Sequence, residues 1–264
     1  MSYNIWYANP AAGENIWENR REGVAQIILK EKADIVGLQE VLLRQLTDLQ
    51  DFLPNYQWIG AGRDDGKKQG EFAPVFFNSK RLELKQSGHF WLSETPDTAG
   101  SMGWDAQCVR IVTWAKLQVK KSDRQIVVFN THFDHAGDTA RAESAGLLLK
   151  KINEIAKDDP VFLTGDFNCL KDSEPYNLLI KPENSIKLKD CRYSSSRKTE
   201  GPDYTFVGSD FKGQPGNIID HIFVSENIRV ISSEIIENCT QGKCPSDHLP
   251  VTADVVVIPP EKGF

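Results

Sequence analysis

TARAESAGLLLKKINEIAKDDPVFLTGDFN, Thr139 to Asn168, is the stretch whose reading decides the fold class. Ala142, Ala145, Leu148, Leu149, Ile152 and Ile155 recur at helical spacing, which predicts a helix over 139–157 with one apolar stripe. Asp158-Asp159-Pro160 stops it, because proline cannot continue a helix and restrains the residue before it. Val161 to Thr164 then form a short apolar run, the pattern of a buried strand. Gly165-Asp166-Phe167-Asn168 leaves that strand with an acid and a carboxamide at its end. A helix that feeds at once into a buried strand belongs to a layered α/β architecture.

The rest of the chain repeats this alternation. Val24, Ile27 and Ile28 share one face of a helix over 20–32. Asp34 to Leu38 reads as a buried strand that ends at Gln39-Glu40. A second helix spans 42–52 and stops before Pro54. Strand patterns rich in Val, Ile, Phe, Trp and Thr occupy 74–77, 81–85, 109–119 and 125–130, and again 218–224, 228–236 and 251–258.

The bulk numbers set the frame. The 264 residues carry a net charge of −6, with 40% hydrophobic and 26% charged residues. One domain over 1–264 can bury a core of the size this length allows. An acidic balance argues against a sequence-independent nucleic-acid binder, which needs a basic face, although a local basic cleft remains compatible. No transmembrane run and no signal peptide are visible, so the expectation is a soluble protein, cytoplasmic or exported with its signal removed. A monomer is expected. Of the five cysteines, Cys239 and Cys244 have a turn-like spacing that could hold a disulfide. Free thiols are the favoured expectation, and no second Cys/His pair has the spacing of a zinc site.

Several polar residues sit where strands begin or end. Glu40 follows the strand 34–38, where it is either a Mg²⁺ ligand or a surface glutamate opening the next helix. Asp166 can align or deprotonate a water, and Asn168 can donate to a phosphate oxygen while staying neutral; alone, the string is also compatible with an Asx turn. His132 lies past the strand 125–130 in a turn crowded by Asn130, Asp134 and His135, which favours a functional over a structural role. Asp247-His248 is held between Pro245 and Pro250 at a loop-to-strand junction, and Asp220 could supply the carboxylate that orients His248. Arg63, in a Gly/Asp-rich loop, and Arg110 are candidate phosphate contacts, each with a plain structural alternative. Asn130 joins them as a candidate substrate contact, and Glu71 as a supporting acid. Trp91, Trp104 and Trp114 either line a substrate pocket or belong to the core.

Taken in order, Asn4, Gln39-Glu40, Asn130-Thr131-His132, Gly165-Asp166-Phe167-Asn168, Asp220-His221 and Ser246-Asp247-His248 resemble the endonuclease/exonuclease/phosphatase superfamily, whose fold is DNase I-like. The match runs from Asn4 to Pro250. His89 to Pro96 and Trp104 to Trp114 look like a bacterial branch of metal-dependent hydrolases. The resemblance implies a four-layer sandwich of two mixed β-sheets flanked by helices, and a Mg²⁺- or Mn²⁺-dependent phosphoester hydrolase. It implies Glu40 as the main metal ligand with Asn4 and Asp247 nearby, and Asp166 as the residue that orients or activates water. Asn168 and His132 would hold the phosphate, and His248, oriented by Asp220, would stabilise charge on the phosphoryl oxygens. The chain departs from many relatives at Trp6, where they carry Arg or Asp. Expected partners are phosphorylated small molecules, lipids or nucleotides. The alternative is a nuclease on single-stranded RNA or DNA, which would need a basic, aromatic-lined groove. A non-catalytic binding module is disfavoured by the intact set Glu40, Asp166, Asn168 and His248.

Overall fold

Alternation along the strands, two residues per repeat, builds the layers. The protein is described here from a computed structural model covering residues 1–208, 217–237, 239 and 244–258. Among these residues one six-stranded sheet contains β1 (Ser2–Asn4), β2 (Ile35–Gln39), β3 (Tyr56–Ile59), β4 (Val75–Asn78), β11 (Ile228–Ile235) and β12 (Val251–Val257). The other contains β5 (Leu82–Trp91), β6 (Ile111–Val119), β7 (Gln125–His132), β8 (Val161–Asp166), β9 (Leu188–Asp190) and β10 (Asp220–Ser225). Their strand orders are β11-β12-β1-β2-β4-β3 and β5-β6-β7-β8-β10-β9. Each sheet is mixed: β1 and β2 run parallel, as do β7 and β8, and the other pairs are antiparallel.

The helices cover the outer faces. Val24, Ile27 and Ile28 of α1 (Trp17–Glu31) and Leu46 and Leu49 of α2 (Leu43–Phe52) pack on Tyr3, Val36 and Leu38. Leu148 and Ile152 of α3 (Asp138–Ala156) and Leu179 of α4 (Glu174–Ile180) pack on Val127, Phe129 and Leu163. A third cluster, with Phe77, Leu117, Ile126, Val128, Ile222 and Val230, fills the space between the sheets. Helices, sheet, sheet and helices make the four-layer sandwich that the sequence resemblance implied. No helix among the described residues is long and apolar enough to cross a membrane.

Local differences from the sequence reading have identifiable causes. The buried stripe of α3 is Ala140, Ser144, Ala145, Leu148, Ile152 and Ala156, so Ala142, Leu149 and Ile155 lie at its margin. The small residues Ala140, Ser144 and Ala156 face the sheet, and a purely apolar pattern undercounts them. β5 continues past Lys85 to Trp91 because a register shift between Leu84 and Gln86 interrupts its alternation without ending the pairing. β3 is an edge strand whose alternation is too short to read. β7 and β8 each run two residues further than predicted, ending on His132 and Asp166.

Asn130, expected to touch substrate, is fully buried between the sheets. On β7 it shares the inner face with Ile126 and Val128, where a polar side chain must find partners. Its Nδ2 donates to the carbonyls of Leu38 (2.7 Å) and Pro74 (2.9 Å) in the opposite sheet. Its Oδ1 accepts from Gln39 Nε2 (2.7 Å) and Thr164 Oγ1 (2.9 Å). The sheets approach closely here because position 37 is glycine: a Cβ on Gly37 would lie 2.1 Å from Thr164 Oγ1 and 2.4 Å from Asn130 Oδ1. Cys239 and Cys244 form a disulfide, overturning the free-thiol expectation, because both pack on the inter-sheet cluster and so meet each other. The segment 240–243 between them lies outside the described residues. Cys108, Cys169 and Cys191 are free.

Replacing Asn130 by Ala should lower the unfolding free energy by about 3 kcal/mol, since several buried partners lose their hydrogen bond together. Urea denaturation of the purified variant measures this. A loss below about 0.5 kcal/mol would contradict a clamp between the sheets.

Candidate active site

The same alternation that places Asn130 in the seam carries the reactive residues to the rim of the sandwich. Ile126, Val128, Asn130 and His132 point one way along β7. Phe162, Thr164 and Asp166 do so along β8, and Ser2 and Asn4 along β1. On β10 the inner face holds Asp220, Ile222 and Val224. His221 therefore faces outward, where Nδ1 meets Asp190 Oδ2 (3.0 Å) and Nε2 meets the carbonyl of Cys169 (3.1 Å). It supports the layer beneath the helices and takes no part in the rim cluster.

Asn4 ties the two sheets together at this rim. Its Nδ2 donates to Glu40 Oε1 (3.0 Å) and to Asp166 Oδ2 (2.9 Å). Glu40 follows β2 with φ +61°, a left-handed turn that brings its carboxylate to Asn4 and to the backbone N–H of Tyr7, which donates to Oε2 (3.1 Å). Asn168 also has positive φ, +47°, which asparagine tolerates. Its N–H donates to Asp166 Oδ1 (3.0 Å), closing an Asx turn, and its Nδ2 donates to Phe133 O and to His132 Nε2, both at 3.0 Å. The turn and the functional arrangement are thus one structure.

The two histidines are set in opposite protonation states. His132 Nε2 accepts from Asn168, so its proton sits on Nδ1, which is buried with no partner among the described residues. Burial and the charges of Arg110 and His248 hold its pKa well below the ordinary value. The 3.5 Å approach of His132 Nε2 to Asp166 Oδ2 is therefore a close contact and not an ion pair. His248 Nδ1 donates to Asp220 Oδ2 (2.8 Å), and Nε2 lies 3.7 Å from Asp166 Oδ2. Burial alone would lower its pKa, but Asp220 and Asp166 outweigh this and raise it well above the ordinary value. Phe206 lies beside this imidazole, ring centroids 5.0 Å apart.

Asp166 is pushed up to about 7, first by burial and then by the charge of Asp220. Asp247 is pushed up to about 6 by burial, which outweighs His248, with Glu40 adding to the rise. Across the site Arg63 Nη1 donates to Glu71 Oε2 (2.5 Å), and Trp91 Nε1 holds the Arg63 carbonyl (2.6 Å). Burial raises the pKa of Glu71, Arg63 opposes the rise and Glu40 adds to it. Arg110 is 4% exposed and is held by Asp134 and His135.

These groups border an open cavity of about 330 Å³. Glu40, Asp166, Asn168, Asp247 and His248 line it together with Arg63, Arg110 and His132. Asp220 stands behind His248. The structure thus gathers every site residue expected from the sequence except Asn130; these include Asn4, which is buried and meets the lining through Glu40 and Asp166. A larger cavity of about 460 Å³ opens elsewhere, around Met1, Arg81, Val119 and Val255, away from all of these groups. Tyr7, Phe206 and Ile219 also line the smaller cavity, and nothing in their sequence context marks them. His135 and Cys108 line it too; of these, only His135 had a signal, the crowded turn after His132. Trp91 supports the Arg63 loop from the core, and Trp114 packs against the helix-facing cluster.

The donor set fits a hard divalent cation. Oxygen ligands at partial burial suit Mg²⁺ or Mn²⁺. Glu40 and Asp247 bring two carboxylates to the lining of the cavity, and burial, with Glu40 adding to the rise, lifts the pKa of Asp247 to about 6. Asp166, Asp220 and His248 also have donor atoms within 4.8 Å of one another. Their hydrogen bonds make them a relay instead: His248 Nδ1 is committed to Asp220, and a protonated imidazole cannot ligate a metal.

Comparison with known proteins follows the same lines. The model of the Endonuclease/Exonuclease/phosphatase family matches residues 1–248. A solved endonuclease/exonuclease/phosphatase from Bacteroides vulgatus is 43% identical, covers 97% of this chain and 97% of its own, and superposes with a TM-score of 0.91. A mannosyl-6-phosphatase from Bacteroides thetaiotaomicron is 35% identical, with coverages of 97% and 98% and a TM-score of 0.90. An uncharacterised protein of Acanthamoeba polyphaga mimivirus is 28% identical over 254 residues, 89% of this chain and 90% of its own.

A folded-state pKa of about 7 for Asp166 against an ordinary 3.8 means that its neutral form is favoured by folding. The associated stability is complete below about pH 4 and is lost as pH rises to about 7. In chelator, urea midpoints of wild type should fall relative to those of Asp166→Asn over that window. A pH-independent difference between the two would contradict the shift.

Proposed function

The chain belongs to the endonuclease/exonuclease/phosphatase family, and we propose that within it this phosphoester hydrolase is a Mg²⁺- or Mn²⁺-dependent enzyme that cleaves small phosphorylated substrates, by water attack on phosphorus. One observation carries the reading. Asp166 sits at the centre of the rim, held by Asn4 and flanked by the Asp220–His248 pair on one side and the Asn168–His132 pair on the other.

Each residue has a role its environment suits. Asp166, with a pKa near neutrality, orients the attacking water and accepts its proton as the new O–P bond forms and the ester P–O bond breaks. His248, kept protonated by Asp220, donates from Nε2 to a phosphoryl oxygen as charge grows there. Asn168 and neutral His132, which hydrogen-bond to each other in the substrate-free site, would each turn a donor to another phosphoryl oxygen when substrate binds, His132 by taking the Nε2–H tautomer, without adding charge that would stabilise the ground state. Glu40 and Asp247, with the Asn4 carboxamide beside them, would hold the metal, which supplies neutralisation of the phosphoryl oxygens. Arg63 and Arg110 would add the cationic wall for the phosphate, both steadied by acids, Glu71 and Asp134. A small ester is favoured by a cavity of about 330 Å³, near the lower end of ligand pockets. The mannosyl-6-phosphatase relative points the same way.

The test is a panel of phosphomonoesters and diesters assayed with Mg²⁺ and with Mn²⁺, each with an EDTA arm. Turnover should require the metal, and Asp166→Asn and His248→Ala should each lower kcat by roughly a hundred- to ten-thousandfold with the fold intact by circular dichroism. EDTA-resistant turnover, or wild-type rates in either variant, would overturn the assignment.

A further inference from the structure

The turn after β7 carries a polar device of which the hydrolytic roles use only Arg110, steadied by Asp134, and leave His135 unused. Asp134 is 1% exposed and fully engaged. Its Oδ1 accepts the backbone N–H of Ala136 (3.0 Å) and of Gly137 (2.9 Å). Its Oδ2 accepts the N–H of Cys108 (3.1 Å) and Arg110 Nε (3.4 Å). Arg110 Nη2 in turn meets His135 Nδ1 at 3.1 Å. Arginine can only donate, so Nδ1 of His135 is the acceptor and its proton lies on Nε2. Cys108, Asp134 and His135 place donor atoms within 4.8 Å of one another, but this is not a metal site. Both Asp134 oxygens are taken, and a guanidinium occupies the space beside the imidazole.

The outcome is an exposed imidazole in the cavity lining, its Nδ1 taken by Arg110 and its Nε2–H left as a donor to offer. The wall that includes it is polar and cationic, with His135 and Arg110. Other parts of the lining are apolar: Phe206 beside the His248 ring, with Tyr7 and Ile219. A leaving group that satisfies both must have an apolar face and an acceptor-rich edge. A pyranose ring has this form, with C–H groups that lie on an aromatic side chain and hydroxyls around its rim.

We propose that His135, oriented by the Asp134–Arg110 pair, is a specificity-determining residue that hydrogen-bonds a hydroxyl of a sugar leaving group, so that the substrate class is monosaccharide phosphomonoesters. This rests on the phosphoester-hydrolase reading above and deepens it. His135 touches the leaving group and leaves the attack on phosphorus to Asp166 and His248. Its contribution therefore depends on what the phosphate is attached to.

The experiment compares hexose 6-phosphates with p-nitrophenyl phosphate, whose leaving group has no hydroxyl edge, using wild type, His135→Ala and His135→Asn. In His135→Ala the ratio of kcat/KM for the preferred hexose phosphate to that for p-nitrophenyl phosphate should fall about ten- to a hundredfold, the size of one or two lost hydrogen bonds. His135→Asn, which keeps an N–H donor, should recover part of the ratio. An unchanged ratio in His135→Ala overturns the proposal. So does a wild type that hydrolyses p-nitrophenyl phosphate but no hexose phosphate, or one that cleaves only diesters, outcomes that leave the hydrolase reading standing. A wild type inactive on every mono- and diester overturns that reading and the sugar subsite with it.

Discussion

The architecture depends on one requirement: polar side chains enclosed between two β-sheets must hydrogen-bond to each other across the gap. Asn130 meets it in the middle of the sandwich. It reaches two carbonyls of the opposite sheet with its amide nitrogen and collects Gln39 and Thr164 on its oxygen. Apolar interfaces slide at little cost, because dispersion and hydrophobic burial are non-directional. A buried amide with four partners does not slide, since any displacement leaves unpaired groups away from water. The sheets are thereby fixed in relative position, and so are the ends of their strands.

That placement makes the rim cluster possible. Asn4 and Glu40 come from one sheet; Asp166, Asp220 and His132 come from the other. The Asn4 amide bridges Glu40 and Asp166 only because the strand ends are in register. Burial first, and then the neighbouring carboxylates, raise the pKa values of Asp166 and Asp247, and the carboxylates Asp220 and Asp166 keep His248 charged against its burial. The same cavity is lined by two guanidiniums, Arg63 held by Glu71 and Arg110 by Asp134. Carboxylates suited to a cation and guanidiniums suited to an anion thus meet in one lining.

Much of this is legible in the chain because short polar strings at strand ends are rare and their order is specific. Gly165-Asp166-Phe167-Asn168 reads correctly as a turn with projecting polar groups, and Asp220 reads correctly as the partner of His248. Asn130 shows where such reading fails. It stands two residues before His132 in the same string and on the same face of the same strand. Only the depth at which each residue sits separates a clamp from a candidate site residue. Phe206 and Ile219 fail for another reason: they border the cavity through loop paths that no periodicity encodes. The cysteine pair fails because spacing alone cannot say whether two thiols pack on the same surface.

The sequence by itself determined the layered α/β class and the chemical types carried at the strand ends, since these follow from local periodicity and residue identity, while the four-layer sandwich followed from the family resemblance. Tertiary structure alone decided which inward-facing polar groups stay buried and which reach the cavity, how His132 and His248 take opposite protonation states, and that Arg110 meets His135 at Nδ1. Those outcomes depend on distances between residues remote in the chain, and hydrogen bonding and electrostatics change steeply with distance.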